Sequence, residues 1–463
     1  MSRGIKRSLI ALTVSGVLIT PSAFATNGYF AHGYSTAEKG LAGAGVAHSQ
    51  DAMAVANNPA GIAGMGERMD IGAALFSPKR SYTVTGGPSN AFDPTTGSPT
   101  FSIGPDSIDS SLELFLIPHL AYNWKLDEDS STAVAVYGNG GMNTNYKGGS
   151  ATYFDGVSAF QTTPGTFGAG TTGVDLRQVF VNLAYATKLN ADHSFGASII
   201  FAIQAFKSKG LANFSPFSSS PANLTGNDAD YSSGLGAKLG WQGKVSPDVT
   251  IGASYQSKMA MSEFDDYSGL FAEGGDFDVP ATASLGFAWK IDGKSTLVFD
   301  VQSIFYSDVA SIANSVSQLN PAAGVCAPAG SPPNPTPVQA GGSGAGPGCL
   351  GASSGAGFGW EDMTIVKIGY EWGADTIWRV GISNGSQPIP DSETMFNILA
   401  PAVVETHLTF GFTMPLNSSS EFAFAAMYAP SNSVSGQSPF DPGQTIELEM
   451  DQFEVQATYS MLF

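Results

Sequence analysis

Positive charge is scarce in this chain. Its 463 residues include 20 Lys and Arg against 39 Asp and Glu, which gives a formal net charge of −19. Nucleic-acid binding needs clustered Lys and Arg that neutralise phosphates, so this composition argues against a nucleic-acid partner. Charged residues of both signs make up only 13% of the chain, whereas glycines number 56. Few charges and many turn-forming residues are typical of a large all-β protein.

Long apolar runs are also missing. After residue 25 no stretch approaches the roughly 18 uninterrupted apolar residues that indicate a transmembrane helix, so a helical membrane protein is excluded. The mean hydropathy of +0.04 is that of neither a very polar nor a very apolar chain. Strands that alternate apolar and polar side chains average to near zero even when each one spans lipid. The composition is therefore compatible with a transmembrane β-barrel.

Patterns for catalysis and metal binding are absent as well. The five histidines show no metal-ligand spacing, and no nucleophile elbow occurs. Gly43-x-Gly45 lacks the third glycine of a dinucleotide-binding loop and follows no predicted strand. We therefore expect no enzyme activity, no metal and no cofactor.

Cysteine occurs twice, at Cys326 and Cys349, within a stretch rich in Pro, Gly, Ser and Ala at about 320–359. In an exported chain oxidation is favoured, so the pair predicts a disulfide that clips this loop. Two free thiols are the alternative. A metal site is disfavoured because no His lies nearby.

The N-terminus has the features of a secretory signal peptide. Three basic residues within the first seven precede an apolar run at 9–19, and the small-residue site Ala23-Phe24-Ala25 follows. The run of about 11 residues is shorter than the roughly 20 of a membrane-spanning helix, which disfavours an N-terminal anchor. Residues 1–25 are predicted to be removed, so that the mature chain begins at Thr26.

Short and long connections alternate along the rest of the chain. Six tight polar turns alternate with longer segments rich in Gly, Pro and Ser, as expected for short periplasmic turns and long outer loops. The predicted strands run at 70–84, 112–126, 132–146, 174–188, 193–208, 231–245, 249–264, 275–291, 295–309, 363–372, 376–387, 403–415, 420–433 and 447–463. The pattern predicts an all-β, membrane-spanning antiparallel β-barrel of about fourteen strands, in which the first and last strands pair.

The last predicted strand alternates most clearly. From Phe453 to Phe463 the odd-numbered positions are apolar, whereas positions 454, 456, 458 and 460 are polar. Such a strand faces lipid on one side and a wet interior on the other, and a terminal aromatic residue is typical of bacterial outer-membrane barrels. A soluble β-sandwich alternates in the same way, so this strand alone does not decide between the two.

Residues 26–69, between the signal peptide and the first strand, contain many Ala and Gly and no long alternation. This segment is too short to fold alone, and the lumen of a fourteen-stranded barrel is too wide for its own side chains to fill. We therefore expect the segment, called the hatch below, to plug the barrel formed by residues 70–463. A disordered periplasmic tail is the alternative, and the scarcity of charge argues against it.

Part of the hatch carries a recognisable pattern. Residues 35–61, STAEKGLAGAGVAHSQDAMAVANNPAG, combine three spaced glycines, Asp51-Ala52 and the run Asn58, Pro59, Ala60 and Gly61 directly before the first strand. This pattern resembles the N-terminal hatch of the FadL/TodX family of outer-membrane transporters for long-chain fatty acids and aromatic hydrocarbons. Weaker similarity continues at 174–176, 194–196 and 378–382 and in the last strand.

The resemblance implies a plugged fourteen-stranded barrel, an outer hydrophobic groove between two loops, an inner ligand pocket and a kinked third strand that opens the wall sideways. In the third strand, Asn139, Gly140, Gly141 and Met142 form the candidate lateral gate, because glycines weaken ladder pairing and invite a bulge. An ordinary loop start near the outer rim is the alternative.

The two groove-forming loops correspond to those after the fifth and seventh strands. The candidate groove residues are Leu211, Phe214 and Phe217 in one loop and Tyr267, Leu270 and Phe271 in the other. Apolar side chains on loops that face water are unexpected unless they meet each other or an apolar ligand. Loop-to-loop packing and ligand binding are both open.

The fifth strand is apolar on both faces, and one of them must point inward. The candidate lumen residues on that strand are Ile200, Ala202 and Phe206. The resemblance implies basic residues near a ligand carboxylate, yet Lys207 shares its face with Ile203, the candidate lipid side. Arg379 is expected to point into the lumen and to pair with Glu454 or Asp300.

These observations predict a passive outer-membrane importer of hydrophobic compounds, long-chain fatty acids or hydrocarbons, that releases its ligand laterally into the bilayer. About fifteen methylenes gain on the order of 12 kcal/mol by avoiding water, and release into the periplasm would forfeit most of that. The expected partners are the hydrophobic ligand, outer-membrane lipid and lipopolysaccharide, with a monomeric barrel. The alternatives are a diffusion porin for polar solutes and a surface adhesin or receptor.

Overall fold

The structure is a computed structural model that describes residues 26–92, 99–156, 158–320, 325–331 and 333–463. The predicted signal peptide lies outside these residues. Within the described ranges no helix is long and apolar enough to cross a membrane.

Fourteen antiparallel strands form the wall of a closed barrel. They are β1 (Arg68–Thr85), β2 (Phe115–Lys125), β3 (Ser130–Asn143), β4 (Gly173–Lys188), β5 (His193–Lys209), β6 (Asp230–Ser246), β7 (Val249–Gln256), β8 (Thr282–Asp292), β9 (Ser295–Ile304), β10 (Met363–Gly373), β11 (Ile377–Gly385), β12 (Thr406–Asn417), β13 (Ser420–Gln437) and β14 (Thr445–Leu462). Each strand pairs with the next, and β14 pairs with β1 along its whole length, from Leu462 opposite Arg68 to Thr445 opposite Thr85. The predicted strand number is confirmed.

The connections alternate in length as predicted. Six turns of two to four residues join β2 to β3, β4 to β5, β6 to β7, β8 to β9, β10 to β11 and β12 to β13. The loops at the other end of the barrel contain 7 to 58 residues. All long loops therefore leave the same rim. Hairpin turns this short hold their strands in register, which leaves the long loops free to build a separate structure above the lumen.

Three predicted strands are too long by five residues or more, and the one at 295–309 ends as β9 at Ile304. The predicted strand at 249–264 ends as β7 at Gln256, and the ladder with β6 resumes only at Ala260–Met261, because Met259 and Phe264 are drawn into the interior. The predicted strand at 275–291 begins as β8 at Thr282 instead. Glu273, Gly274 and Gly275 have φ of 57°, 81° and 111°, and three successive residues in this left-handed region cannot continue an extended strand.

Shorter elements occupy the loops. The strands are Ser102–Ile103, Ser107–Asp109, Ser150–Phe154, Phe160–Pro164 and Ala260–Met261; the α-helical turns are Ala272–Gly275, Ala310–Ala313 and Thr394–Asn397; the 3₁₀ turns are Ala212–Phe217, Pro221–Asn223, Asp265–Tyr267, Tyr306–Asp308, Val316–Leu319, Val338–Ala340 and Asp391–Glu393. Most of them lie in the loops after β5, β7, β9 and β11, which cover the outer end of the lumen.

Side chains alternate between the two faces of the wall. Outward positions carry large apolar residues such as Leu183, Ile199 and Leu285, which are 58%, 62% and 66% exposed. Inward positions are buried and often polar, as at Asn182 and Gln204. An apolar belt of this kind is stable only in contact with lipid.

The hatch lies inside the barrel and is almost entirely buried. It contains the two-residue strands Thr26–Asn27 and Phe30–Ala31, the helix α1 (Thr36–Gly40) and the 3₁₀ turns Ala52–Ala56 and Pro59–Ile62. Side-chain caps start the helical pieces, because the Ser35 hydroxyl accepts from Ala37 N at 3.1 Å and the Asp51 carboxylate accepts from Met53 N at 3.0 Å. Small residues let this compact segment fit within the wall.

Candidate functional site

An apolar pocket lies beneath the outer loops. The empty space within it, including solvent at its mouth, is about 480 Å³. Among the described residues that border it, Ser311 has the only polar side chain and none is charged. The lining residues are Val174, Phe206, Leu211, Phe214, Leu270, Phe271, Ser311, Leu350, Ala356, Gly357, Phe358, Phe396 and Leu399.

Four of the six candidate groove residues line this pocket: Leu211, Phe214, Leu270 and Phe271. The other two do not. Tyr267 is buried beside it and joins the two loops, since its hydroxyl donates to Asn227 O at 2.9 Å. Phe217 contributes its backbone, whose carbonyl accepts from Leu350 N at 2.9 Å. These two residues hold the pocket walls together instead of lining them.

Aromatic packing fixes the shape of the pocket. The ring of Phe206 lies 4.6 Å from that of Phe271 and 4.8 Å from that of Tyr267. Phe214 packs edge-on against Phe396 at 5.3 Å. Loop-to-loop packing and an open apolar pocket therefore occur together, because the rings meet at their edges and leave space between them.

The candidate lumen residues occupy two levels. Ile200, Ala202 and Phe206 all point inward and are buried, but only Phe206 reaches the pocket. Ile200 and Ala202 lie deeper, in the same buried apolar cluster as Val55 of the hatch. The inner face of β5 is thus apolar both at the end beside the hatch and at the end beside the pocket.

Sequence reasoning missed the lining residues of two further loops. The loop after β9 supplies Leu350 and Phe358, and the loop after β11 supplies Phe396 and Leu399. These loops are tied together where Asn397 donates to Phe358 O at 2.6 Å. Aromatic residues in otherwise small-residue loops were the available signal, but nothing local shows which loops fold over the lumen.

The two cysteines lie in the loop after β9. Their sulfur atoms are 1.98 Å apart, at bonding distance. Next to Cys349, Leu350 N donates to Phe217 O, and Gly344 N donates to Ser218 O at 2.7 Å. The cross-link therefore lies in the part of the loop that roofs the pocket and contacts the loop after β5.

The wall has a break beside β3. The ladder between β2 and β3 runs from Lys125 opposite Ser131 to Leu120 opposite Val136 and ends there, whereas β3 stays paired with β4 as far as Asn143. Asn139 is an extra residue in the ladder with β4, a β-bulge between Gly138 and Gly140. Because the pairing with β4 continues, the candidate gate is a break within the wall and not the start of a loop.

The hatch occupies the inner side of this break. Phe30 pairs with Gly140, and Gly141 N donates to Tyr29 O at 3.1 Å. A Cβ atom at Gly140 would overlap the Tyr29 carbonyl, so glycine is required for this close approach. On the β2 side the break contains Pro118, and proline within a sheet is confined to edges.

A second cavity lies beside the break. Its empty space, including solvent at its mouth, is about 320 Å³, and the gate residues Gly141 and Met142 border it. Its other lining residues are Gly28, Arg80, Asn143, Thr144, Trp360, Ala400, Pro401, Ala402 and Met450. Phe358 and Leu399 border the first pocket while Trp360 and Ala400 border this one, so the same two loops contribute to the walls of both cavities. The second cavity is called the gate-side cavity below.

Charged residues fill the lumen at the level of the hatch. Lys39 pairs with Glu454 at 2.5 Å, and Asp300 accepts from Gly45 N at 2.7 Å and Val46 N at 3.0 Å. Several buried polar atoms there, including both oxygens of Glu38, have no protein partner, which is a setting for ordered water. The interior of the barrel is therefore polar around Lys39, Glu454 and Asp300, on the side of β9 and β14.

The predicted partners of Arg379 are wrong. Arg379 pairs with Glu371 at 3.2 Å, since the two residues lie directly opposite on β11 and β10. Glu454 and Asp300 are already engaged by Lys39 and by the hatch backbone. Lys207 is exposed on the outer side of β5 and reaches neither cavity. Within the described part of the chain, no group of three or more His, Cys, Asp and Glu could hold a metal ion.

The run Asn58, Pro59, Ala60 and Gly61 anchors the hatch to the wall. The Asn58 amide donates to Val46 O at 2.7 Å and to Trp241 O at 3.0 Å, and its oxygen accepts from Ala60 N at 3.0 Å. The turn Pro59–Ile62 packs against β4, β5 and β6. These four residues therefore position the hatch and lie away from both cavities.

Comparison with known proteins identifies the family. The family model for outer membrane protein transport proteins (OMPP1/FadL/TodX) matches residues 16–459. No curated protein sequence matches the chain significantly. Similar solved structures include the toluene transporter TodX of Pseudomonas putida, at 16% identity and a TM-score of 0.61 over 95% of this chain and 100% of that chain.

Two further structures agree in fold. The toluene transporter TbuX of Ralstonia pickettii is 15% identical, with a TM-score of 0.58 over 93% of this chain and 99% of that chain. A FadL homologue of Pseudomonas aeruginosa is 13% identical, with a TM-score of 0.60 over 94% of this chain and 99% of that chain. Because the family model spans nearly the whole chain, this barrel belongs to the OMPP1/FadL/TodX family of transport proteins and resides in the outer membrane.

Proposed function

We propose that this protein is a passive importer of hydrophobic compounds that binds them in the outer pocket and releases them sideways into the bilayer. The observation that carries the proposal is the order of the parts. The loops after β9 and β11 line both an uncharged apolar pocket and the gate-side cavity, and β3 borders the gate-side cavity beyond the point where its ladder with β2 ends. Hydrocarbons and alkyl chains suit such a pocket, and toluene, named for two of the structural neighbours, is one candidate.

The polar interior around the hatch favours the sideways route. A ligand of about fifteen methylenes would lose on the order of 12 kcal/mol by entering water. On the way past the hatch, it would meet the Lys39–Glu454 pair and the Glu38 side chain, whose oxygens have no protein partner. Through the break, the same ligand reaches the apolar interior of the bilayer without that loss. Nothing in this path requires an energy source, because the ligand moves between apolar surroundings.

The hatch also bears on the rival functions. A diffusion porin for polar solutes needs an open aqueous lumen, whereas this lumen is occupied by buried hatch residues. A surface adhesin would need only the outer loops, not an uncharged pocket beneath them. A closed barrel has no free strand edge for pairing with a second copy. We therefore infer that each chain forms its own transport path.

Uptake through the pocket is tested by placing a charge in it. The substitution Leu270→Asp should lower the affinity for a hydrophobic probe such as toluene or decane at least about tenfold, because a carboxylate would be buried among apolar groups. Leu270→Met keeps an apolar side chain and serves as the matched control. Affinity in nanodiscs and uptake by cells expressing each variant are the measurements. Equal uptake by Leu270→Asp and wild type would refute the pocket as the binding site.

The exit route is tested at Met142. The substitution Met142→Trp should fill part of the gate-side cavity and slow uptake by about tenfold or more, while toluene binding to the outer pocket persists. Met142→Leu preserves the volume and is the control. Uptake at the normal rate by a fully assembled Met142→Trp barrel would mean that the ligand leaves another way. Swelling of liposomes in sugars by the wild type would instead support a porin.

A further inference from the structure

Four basic side chains lie together on the outside of the barrel, at the rim from which the long loops leave. They are Lys147, just after β3, Arg177 on β4, and Lys207 and Lys209 on β5. Alternation places the two β5 lysines on the same face as Ile199, which is 62% exposed. Lys147 and Lys207 are themselves exposed. These four residues are called the basic patch below.

Strand register makes the patch compact. Lys207 is opposite Asp175 in the ladder between β4 and β5, and Arg177 lies two residues from Asp175 on the same face of β4. Lys209 lies two residues beyond Lys207. Facing and diagonal neighbours on one face of a sheet are about 5–8 Å apart, and Lys147 is near enough for its charge to act on Lys209. The four positive charges therefore share one small area.

The protein neutralises little of this charge. The facing carboxylate, Asp175, is engaged by Arg177, whose Nε lies 3.4 Å from its Oδ1. Among the ion pairs formed by described residues, none includes Lys147, Lys207 or Lys209. The charges that act most on Lys209 are those of Lys207, Asp175 and Lys147, so two of the three repel it. Like charges side by side on a sheet are unfavourable, which indicates that an anion from outside the chain neutralises them.

The patch lies at the outer edge of the apolar belt. On the outward face of β5 the last large apolar residue is Ile203, and Lys207 follows about 13 Å further along the strand. On β4 the outward face changes from Val179 to Arg177. Lipid headgroups begin where the apolar belt of a barrel ends. The anion expected at this depth is therefore part of a lipid headgroup.

We propose that the basic patch binds the phosphate groups of lipopolysaccharide in the outer leaflet and holds this glycolipid against β4 and β5. Arginine fits a phosphate with its planar fork and lysine with a compact charge, whereas a zwitterionic phospholipid already carries its own cation. The acyl chains lie along the belt at Ile199 and Phe201. Arg177 is opposite Gly141 of β3, so the bound lipid is next to the break. The site lies outside the barrel and is independent of the compound that is transported.

The test compares a phosphorylated lipid with its dephosphorylated form. Binding of bisphosphorylated and of dephosphorylated lipid A to the full barrel is measured by native mass spectrometry, with EDTA present so that no divalent cation bridges phosphate and protein. In the double variant Lys207→Gln and Lys209→Gln, affinity for the bisphosphorylated lipid should fall about 10- to 30-fold, since each lysine near a membrane surface contributes about fivefold. Affinity for the dephosphorylated lipid should not change. Lys207→Arg with Lys209→Arg should bind both lipids as the wild type does.

A matched control removes the same charge at the opposite end of the barrel. Lys290→Gln with Lys294→Gln changes two exposed lysines beside the short turn between β8 and β9 and should leave lipid A binding unchanged. An equal loss in this control would show that only net charge matters. Equal affinity of the wild type for both lipids would show that the phosphates are not recognised. Either result overturns the proposal.

Two further measurements separate the remaining outcomes. Millimolar inorganic phosphate should not displace lipid A, and displacement would overturn the assignment to a lipid in favour of a site for free phosphate. If the double variant does not assemble, Lys147→Gln in the loop after β3 should lower affinity for bisphosphorylated lipid A about fivefold, and no loss in that assembled variant would overturn the proposal. Toluene uptake by cells tests the proposed function separately, because the patch variants should leave it at the wild-type rate.

Discussion

The strength with which the hatch is held can be predicted from Asp300. This carboxylate on β9 accepts two backbone hydrogen bonds from the hatch, from Gly45 N at 2.7 Å and Val46 N at 3.0 Å. Lys367 lies directly opposite on β10 and donates to His32 O at 3.1 Å. Together, the two side chains hold the hatch at two places. The substitution Asp300→Ala removes the oxygen, Oδ2, that accepts both bonds and leaves two buried N–H groups unpaired.

The expected magnitude follows from these two bonds. A hydrogen bond to a charged group contributes about 1.5–3 kcal/mol, so the loss of two destabilises the seated hatch by about 3–6 kcal/mol. Since 1.36 kcal/mol corresponds to a factor of ten, the fraction of barrels with a displaced hatch should rise at least about 100-fold. Asp300→Asn keeps an acceptor oxygen without the charge and should show a smaller rise.

Ion conductance of single barrels in a planar bilayer measures the displaced fraction, because a fourteen-stranded barrel without its hatch contains an aqueous channel. Asp375→Ala is the matched control, since it removes an exposed carboxylate from the short turn between β10 and β11. Openings should be frequent in Asp300→Ala and rare in wild type and control. An Asp300→Ala barrel that stays closed as often as wild type would show that these bonds do not seat the hatch.

Two further predictions concern the outer loops. Alkylation without reductant should label neither Cys326 nor Cys349, and two labelled thiols in the native protein would contradict the cross-link. Reduction should destabilise the folded loop after β9 by about 3 kcal/mol, because the cross-link restricts the unfolded loop. Proteolysis of this loop should then be faster while the barrel stays intact. Burial, together with the neighbouring Asp278 carboxyl, raises the pKa of Asp276 to about 7. The folded loop therefore holds a proton that the unfolded loop releases near pH 4, so the stability of the loop after β7 should fall as the pH rises from about 4 to about 7. Protection of residues 257–281 against hydrogen exchange, taken relative to the intrinsic exchange rate at each pH, should decrease over that range and should lose this dependence in Asp276→Asn.

The wall of the barrel was predictable because its pattern is local. Each strand alternates between lipid and lumen, and each short turn fixes the register of two neighbours, so strand number and family followed from the sequence and are confirmed. The errors at β7 and β8 occurred where residues 257–281 have apolar side chains but leave the wall. Alternation does not distinguish an apolar residue that faces lipid from one buried under a loop, as Met259 and Phe264 are.

The pocket was only half predictable for a related reason. Leu211, Phe214, Leu270 and Phe271 were visible as apolar residues in the loops that the resemblance singled out. Phe358, Phe396 and Leu399 come from loops that reach the same pocket only after long excursions. Which long loops meet is decided by tertiary contacts, such as the bond from Asn397 to Phe358 O. The partner of Arg379 was missed because it required the register of β10 and β11.

The break beside β3 interrupts the wall of the barrel at a place that the hatch covers from inside. Unpaired strand groups inside a bilayer are costly, so an empty gap in the wall would be unfavourable. Here the hatch supplies part of the missing hydrogen bonding, since Tyr29 O accepts from Gly141 N and Phe30 pairs with Gly140. Pro118 on the opposite side lacks an N–H and requires no partner for one. The same contacts that seal the break thus join it to the hatch, and a movement of Tyr29 and Phe30 away from β3 would open the wall directly beside the gate-side cavity.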